Sequence, residues 1–319
     1  MNQSNHVIQS KEDLLNHIGS FQKLEIDDLT QMEKLLKMNV PPDVWKDALN
    51  GNQELVQNTK ELSYYNREIE YIHLLSFLTN ITELQLYCNN ISDISSIYKL
   101  KKLKKLDFRS NNIEDISALQ YLSDLTHLDL QGNQLTSYTL ALPNLIELTL
   151  DYNKIEDKSG LKYSPKLQSL NLIKTEIADL RTIPHQLFGL KALELYNNNI
   201  LEISYLSNFV DLQNLSLGFN KQLQNIGPLQ FCTQLTQLSV DDIWPLQFMK
   251  NLKILDIANT QIVDLHPLQY LYKLEIISAF CTRITDMSPL LSLTQLNFFQ
   301  QQQNYQCRYT QAPQEFFKL

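Results

Sequence analysis

The sequence predicts an α/β solenoid, with a parallel sheet of short strands on its concave side and brief 3₁₀ or helical segments on its convex side. Two observations predict it. A Leu-x-x-Leu-x-Leu-x-x-Asn-x-Ile-x-x-Ile pattern runs from Ile81 to Ile97 and repeats 22 residues on at Leu103, Leu106, Phe108, Asn111, Ile113, Ile116 and Leu119. Further units begin at Leu125, Leu145, Leu167, Leu190, Leu212, Leu235, Leu252 and Leu274, a degenerate one precedes at Thr59, and a last strand starts at Leu296. Chance does not hold a register over that many units.

Each position has a physical task. Side chains alternate along Leu-x-Leu, so the leucines point inward and the residues between them face solvent. Asn89, Asn111, Asn133, Asn153, Asn198 and Asn220 stand where the chain leaves the strand. A buried amide there can donate to and accept from backbone groups, forming a ladder between coils. Thr175, Thr260 and Thr282 replace it and can satisfy part of that bonding. Asp93, Asp115, Asp157, Asp179, Asp264 and Asp286 follow four positions later as caps for a short turn. Pro228, Pro245, Pro267 and Pro289 suit the first turn, where an N–H would go unpaired.

The order breaks in several places. The unit at Leu125 is two residues short, and the one at Leu235 has only 17 residues, without the asparagine and the isoleucine that follows it. That loss interrupts the ladder. It reads as a tolerated loop deletion or as a change of curvature that presents Trp244, Asp241 and Asp242. Residues 1–58 do not follow the repeat. Helices are expected after Ser10, over Leu29–Leu36 and over Asp43–Leu49, as a cap on the first open coil. The solenoid is then assigned to 59–299, and 300–319 to a C-terminal cap or tail, with Tyr305, Tyr309, Phe316 and Phe317 sealing the last coil.

Composition bounds the function. The 319 residues include 43% apolar and 19% charged ones, which suits a continuous core, and only 7 glycines, which argues against glycine-rich phosphate-binding folds. The polar start MNQSNHVIQS lacks the pattern of a secretory signal, and no apolar run is long enough for a membrane helix. Cys88, Cys232, Cys281 and Cys307 form no close pair and are expected as reduced thiols. A cytoplasmic protein follows, with the nucleus also open to it, and the sequons at Asn80, Asn90 and Asn214 read as fortuitous.

The register also lists the solvent-facing strand positions. Ten are acids (Glu61, Glu83, Asp107, Asp129, Glu147, Asp151, Glu194, Asp241, Asp242, Asp256) and three are bases (Lys105, Arg109, Lys174). Their net of −7 is nearly the whole chain's −8. Among them stand Tyr65, Tyr87, Tyr152, Tyr196, Phe219 and Phe280. Rings supply contact area and acids select charge, so the concave face is the expected surface for another protein. Its expected contact residues are Tyr87, Asp107, Arg109, Asp129, Asp151, Tyr152, Glu194, Tyr196, Phe219, Asp241, Asp256 and Phe280. Asp107 and Asp129 fall on adjacent strands about 4.8 Å apart, a repulsion that Arg109 offsets.

Other functions have less to rest on. Nucleic acid needs basic grooves, and the run Lys99–Lys105 is read as a solvated turn into a strand. A metal set of Asp107, His127, Asp129 and Asp151 has no enforcing spacing, so neither metal nor cofactor is expected. The six histidines are scattered, and no nucleophile, base and acid come together, so no enzyme is expected.

The 22-residue unit, above all Ile262-V-Asp264-Leu265-H-Pro267-Leu268 and Ile284-T-Asp286-Met287-S-Pro289-Leu290, resembles two leucine-rich-repeat families over roughly residues 59–299. One is the leucine-rich regulatory subunit of type 1 protein phosphatase; the other is the bacterial internalins. The first resemblance implies a monomeric scaffold whose concave acids and aromatics hold a phosphatase catalytic subunit. The second implies an adhesin, which requires an export signal. A cytoskeletal or assembly repeat protein would share the same repeat.

Overall fold

A computed structural model describes residues 59–300. The helices expected within 1–58 and the aromatics expected to seal the last coil lie outside the described residues. The described part divides into two compact units, 59–177 with 181–190, and 178–180 with 191–300.

The first unit carries six three-residue strands: β1 (Glu61–Ser63), β2 (Glu83–Gln85), β3 (Lys105–Asp107), β4 (His127–Asp129), β5 (Glu147–Thr149) and β6 (Ser169–Asn171). They pair in parallel, each with the next, and the central leucines stay in register: Leu62 with Leu84, Leu84 with Leu106, and so on to Leu170. The second unit repeats the scheme with β7 (Ala192–Glu194), β8 (Asn214–Ser216), β9 (Gln237–Ser239), β10 (Ile254–Asp256), β11 (Ile276–Ser278) and β12 (Phe298–Gln300). Its register runs from Leu193 through Leu215, Leu238, Leu255 and Ile277 to Phe299. Every strand leucine from β1 to β10 is buried, as is Ile277. The long crossover that parallel pairing requires is made by the rest of each coil, which carries a 3₁₀ turn such as Ser95–Lys99, Ser117–Tyr121 or Trp244–Phe248. No α-helix occurs among the described residues.

The asparagine ladder is formed as the sequence predicts. In Asn111, Oδ1 accepts Ile91 N–H at 3.0 Å, while Nδ2 donates to Leu86 O of the preceding coil at 2.9 Å and to Phe108 O of its own at 3.0 Å. Asn133 and Asn153 repeat the set one coil later each. In the second unit Asn220 reaches Ile200 N–H and Leu195 O. Threonine keeps the part within its own coil: Thr260 Oγ1 donates to Ile257 O and Thr282 Oγ1 to Ala279 O, both at 2.7 Å.

The residue just before the asparagine takes a left-handed backbone, as at Cys88, Ser110, Tyr152, Asn197 and Phe219, with a glycine only at Gly132. The capping acids act one residue earlier than expected. Asp93, Asp115, Asp157, Asp264 and Asp286 accept the N–H two residues on at 2.7–2.9 Å, and the formal cap position between is aliphatic or lysine. The four prolines stand in the first turn, as expected.

The 20-residue coil closes by a different packing. Tyr138 is fully buried, Ser137 bridges to Asp157, and Gly160 comes so close to Thr139 and Leu140 that a Cβ would lie 2.6 Å from their backbone. Lys158 stands at the position of Ile94 and Ile116, is 5% exposed, and donates its ammonium to Ile155 O. Burial lowers its pKa. Cys88 and Cys232 are free thiols, but Cys281 is disulfide-bonded. This corrects the expectation of four reduced cysteines, because the fold and not chain spacing decides which sulfurs meet.

The ladder makes a direct prediction. Asn111→Ala leaves Ile91 N–H and two carbonyls without their partner and is expected to cost about 3 kcal/mol in urea unfolding. Asn111→Thr should cost clearly less, because a threonine hydroxyl keeps the bond within the coil.

Candidate functional site

Since register is fixed, the strand face consists of rows, each holding one residue from each coil. The first row is the first strand residue, the third row is two residues on, and the fifth two more. These rows hold the expected contact residues, apart from Tyr152 and Phe219 on the left-handed turns that follow the fifth row, and they are described unit by unit.

In the first unit the fifth row begins with Tyr65, Tyr87 and Arg109. The two tyrosine rings stack, with centroids 5.2 Å apart and planes 7° off parallel. The Arg109 guanidinium lies 5.0 Å from the Tyr87 ring centroid. Its Nη2 meets Asp107 Oδ2 at 2.6 Å and its Nε meets Asp129 Oδ2 at 3.2 Å. Asp107 and Asp129 are register partners, so the guanidinium neutralises two like charges forced together by the ladder. Burial pushes the Asp129 carboxyl up to about 7, and Asp107 adds to this, while Gln131 N–H and Arg109 pull it back. Asp151 is 5% exposed and its Oδ1 accepts Ile173 N–H at 2.7 Å, so it couples coils. Tyr152 is exposed on its left-handed turn, with the Lys174 ammonium 5.4 Å from its ring centroid.

In the second unit Tyr196 lies over Gly218, where a Cβ would come within 3.2 Å of the ring, and its centroid is 5.0 Å from that of Phe219. Glu194 occupies the third row. Its burial pushes the carboxyl up to about 7, which the Ser216 hydroxyl partly opposes. Asp256 is half-buried in that row and its pKa is raised, first by burial. Asp241 and Phe280 stand in the fifth row, and Asp241 Oδ2 accepts Phe219 N–H at 3.0 Å.

Asp242 leaves the face. Its Oδ1 accepts Trp244 N–H at 3.1 Å, the bond that the capping acids make elsewhere. In the 17-residue coil the chain passes from the fifth strand position straight to this cap, which opens the turn at Trp244, 62% exposed.

A feature missed from the sequence is the apolar end of the first row. Ile254, Ile276 and Phe298 are register partners and remain partly or fully exposed. Reading the first residue of each Leu-x-Leu strand, and not only the charges, would have found them. A polar groove among the outer turns is lined by Asp93, Glu114 and Asp115, and two of these carboxylates already cap Ser95 and Ser117. Among the described residues no group of three or more His, Cys, Asp or Glu is arranged to hold a metal ion, and no helix is long and apolar enough to cross a membrane.

Residues 79–135 match the family model described as leucine rich repeat. The coils are leucine-rich repeats. Comparison with the curated proteins gives no match. Among solved structures, the chain is similar to an internalin (inlF) of Listeria monocytogenes, with 28% identity, 82% of each chain covered and a TM-score of 0.67. A leucine-rich-repeat protein of Leptospira interrogans shares 22% identity over 84% of this chain and 80% of its own, with a TM-score of 0.62. That second likeness bears on the fold alone. A TLR13–ssRNA13 complex aligns with 72% of this chain and 40% of its own, at 25% identity and a TM-score of 0.54.

The raised carboxyl gives a pH prediction. Between the ordinary aspartate pKa and about 7, the unfolded chain ionises Asp129 while the folded one holds the proton, so this group lowers stability as pH rises through that window. Asp129→Asn should therefore be more stable than wild type at pH 8, by on the order of 1 kcal/mol. By pH 4 the two unfolding curves should coincide.

Proposed function

We propose that this leucine-rich-repeat chain is a non-enzymatic scaffold that holds another protein against the strand face. The observation that carries the reading is the Tyr65–Tyr87–Arg109 stack with its two carboxylates. Rings and guanidinium in the fifth row and acids in the third are held side by side by backbone register, and such groups anchor protein interfaces. Rigid side chains lose little freedom on binding, so this surface is prepared for contact. The likeness to an internalin over most of both chains supports a binding role. The TLR13 neighbour is a complex with single-stranded RNA, but an acidic face lacks the cations that displace counterions from phosphates, and it repels them. The repeat motif's resemblance to phosphatase regulatory subunits adds a phosphatase catalytic subunit as one partner to look for.

Capture tests this reading. Tagged wild type and the variants Tyr87→Ala and Asp129→Lys, each checked for folding by circular dichroism, are incubated with lysate of the source cells and quantified by mass spectrometry. The wild type should enrich a partner that both variants lose at least tenfold. If every enriched protein is retained by both variants, the Tyr65–Tyr87–Arg109 stack and its carboxylates are not the binding surface.

A second reading is an exported, internalin-like adhesin, and the Cys281 disulfide favours it over the cytoplasmic expectation. Disulfides persist in oxidising compartments and are rare in the cytosol. Protein isolated under acid quench should leave Cys281 unmodified by iodoacetamide until reductant is added, while Cys88 is alkylated at once. Immediate alkylation at Cys281 would return the chain to a reducing compartment.

A further inference from the structure

We propose that the strand face of the second unit takes an arginine side chain from a partner polypeptide, held at Asp241, Asp256 and Ala258. The inference rests on the strand face being the binding surface and adds what that surface recognises there.

The first unit supplies the internal precedent. In Asp107-Phe108-Arg109, Asp107 Oδ1 accepts Arg109 N–H at 3.1 Å, and the arginine side chain folds back onto the carboxylates and the Tyr87 ring. Asp256-Ile257-Ala258 occupies the same three register positions, with Asp256 Oδ1 accepting Ala258 N–H at 3.0 Å. The carboxylate is placed alike, but a methyl group stands where the guanidinium stem would begin. No lysine or arginine pairs with Glu194, Asp241 or Asp256 among the described residues. Rings stand on both sides, Tyr196 with Phe219 on one and Phe280 on the other, and the Tyr196 ring lies down over Gly218, which has no side chain to lift it.

Two independent observations show that hydrogen-bond acceptors are left over at this place. In the neighbouring coils the residue at the left-handed turn donates its N–H to the fifth-row carbonyl of the next coil: Cys88 to Arg109, Ser110 to Gln131, Asn197 to Gly218, Asn259 to Phe280. The 17-residue coil lacks that residue, and the Ala258 carbonyl has no such donor. Phe219 N–H goes to the Asp241 side chain and so leaves the Asp241 carbonyl without one too. Ser278, register partner of Asp256, is 4% exposed, and its hydroxyl faces the Asp256 carboxylate, which leaves its lone pairs without a donor. Two carboxylates, two carbonyls and a hydroxyl between aromatic rings match a flat cation with five N–H donors. An ammonium has three donors and no plane to stack.

Fluorescence anisotropy with dye-labelled Gly-Arg-Gly-Arg and Gly-Lys-Gly-Lys peptides of equal charge tests this on the full chain. The arginine peptide should bind at least five times more tightly than the lysine one. Ala258→Arg, which fills the site from within, should abolish the preference, and Asp256→Asn should weaken arginine-peptide binding about tenfold. Glu156→Gln, at an exposed acid away from the strand face, should leave it unchanged. Equal binding of both peptides, no binding of either, or an unchanged preference in Ala258→Arg would overturn the proposal. A partner lost with Tyr87→Ala, alongside failure here, would refute arginine recognition while the scaffold reading stands. Peptide binding without any captured partner would do the reverse.

Discussion

The buried asparagine amide is the interaction on which the rest of this fold depends. A coil with a three-residue strand has little backbone pairing of its own, and one side chain must tie its loose end to the coil before it. Asn111 does so by accepting from Ile91 and donating to Leu86, both in the preceding coil. These groups are buried, and an unmet donor or acceptor there would cost as much as several surface contacts contribute. The amide also dictates the residue before it, which must turn left-handed to bring the asparagine inward. Outside Gly132, a side chain bears that strain in every such turn. Each ladder step thus fixes the backbone on both sides of itself.

Fixed register has an electrostatic consequence. Positions two residues apart become rows, and rows bring like residues together whether or not their charges agree. Asp107 beside Asp129 is tolerable because Arg109 sits between them and because the Asp129 carboxyl is held closer to its neutral form. Asp241 has no such cation, and both burial and the nearby charge of Asp256 raise its pKa. One architecture therefore solves the same problem in two ways, by internal pairing in the first unit and by suppressed ionisation in the second. The difference matters for binding, since an acid without an internal cation still has its interaction to make.

Nearly all of the coil architecture was legible in the sequence, because leucine spacing, asparagine and proline each answer to a single local requirement. The site was legible only as a list of rows. Asp151 is indistinguishable from Asp129 by position and type, yet it is spent on Ile173 N–H. Asp242 reads as a strand-face acid until the deletion is aligned on its cap, where the bond to Trp244 N–H places it with Asp115 and Asp264. Lys158 in an isoleucine position and the Cys281 disulfide carry no local signal, because both depend on what the folded coil puts next to them.

The shortened coil shows how such a fold changes its surface without losing its core. Between β9 and β10 only 17 residues separate equivalent positions, against 22 between β10 and β11, yet Leu238, Leu255 and Ile277 stay in register. The strand and the 3₁₀ turn are both retained, so the apolar layer between them is unbroken: Val240, Ile243 and Leu246 are all buried. What the deletion removes is the strand-exit turn with its asparagine, whose side chain and preceding N–H elsewhere bond the neighbouring coils. Asp241 replaces part of that coupling with its carboxylate on Phe219 N–H, and a charged group is a strong acceptor for such a bond. The substitution is incomplete, because a carboxylate accepts and cannot donate to the next coil's carbonyl. A deletion that leaves the core intact thereby converts structural acceptors into surface ones, at the place where acids and rings already lie in register.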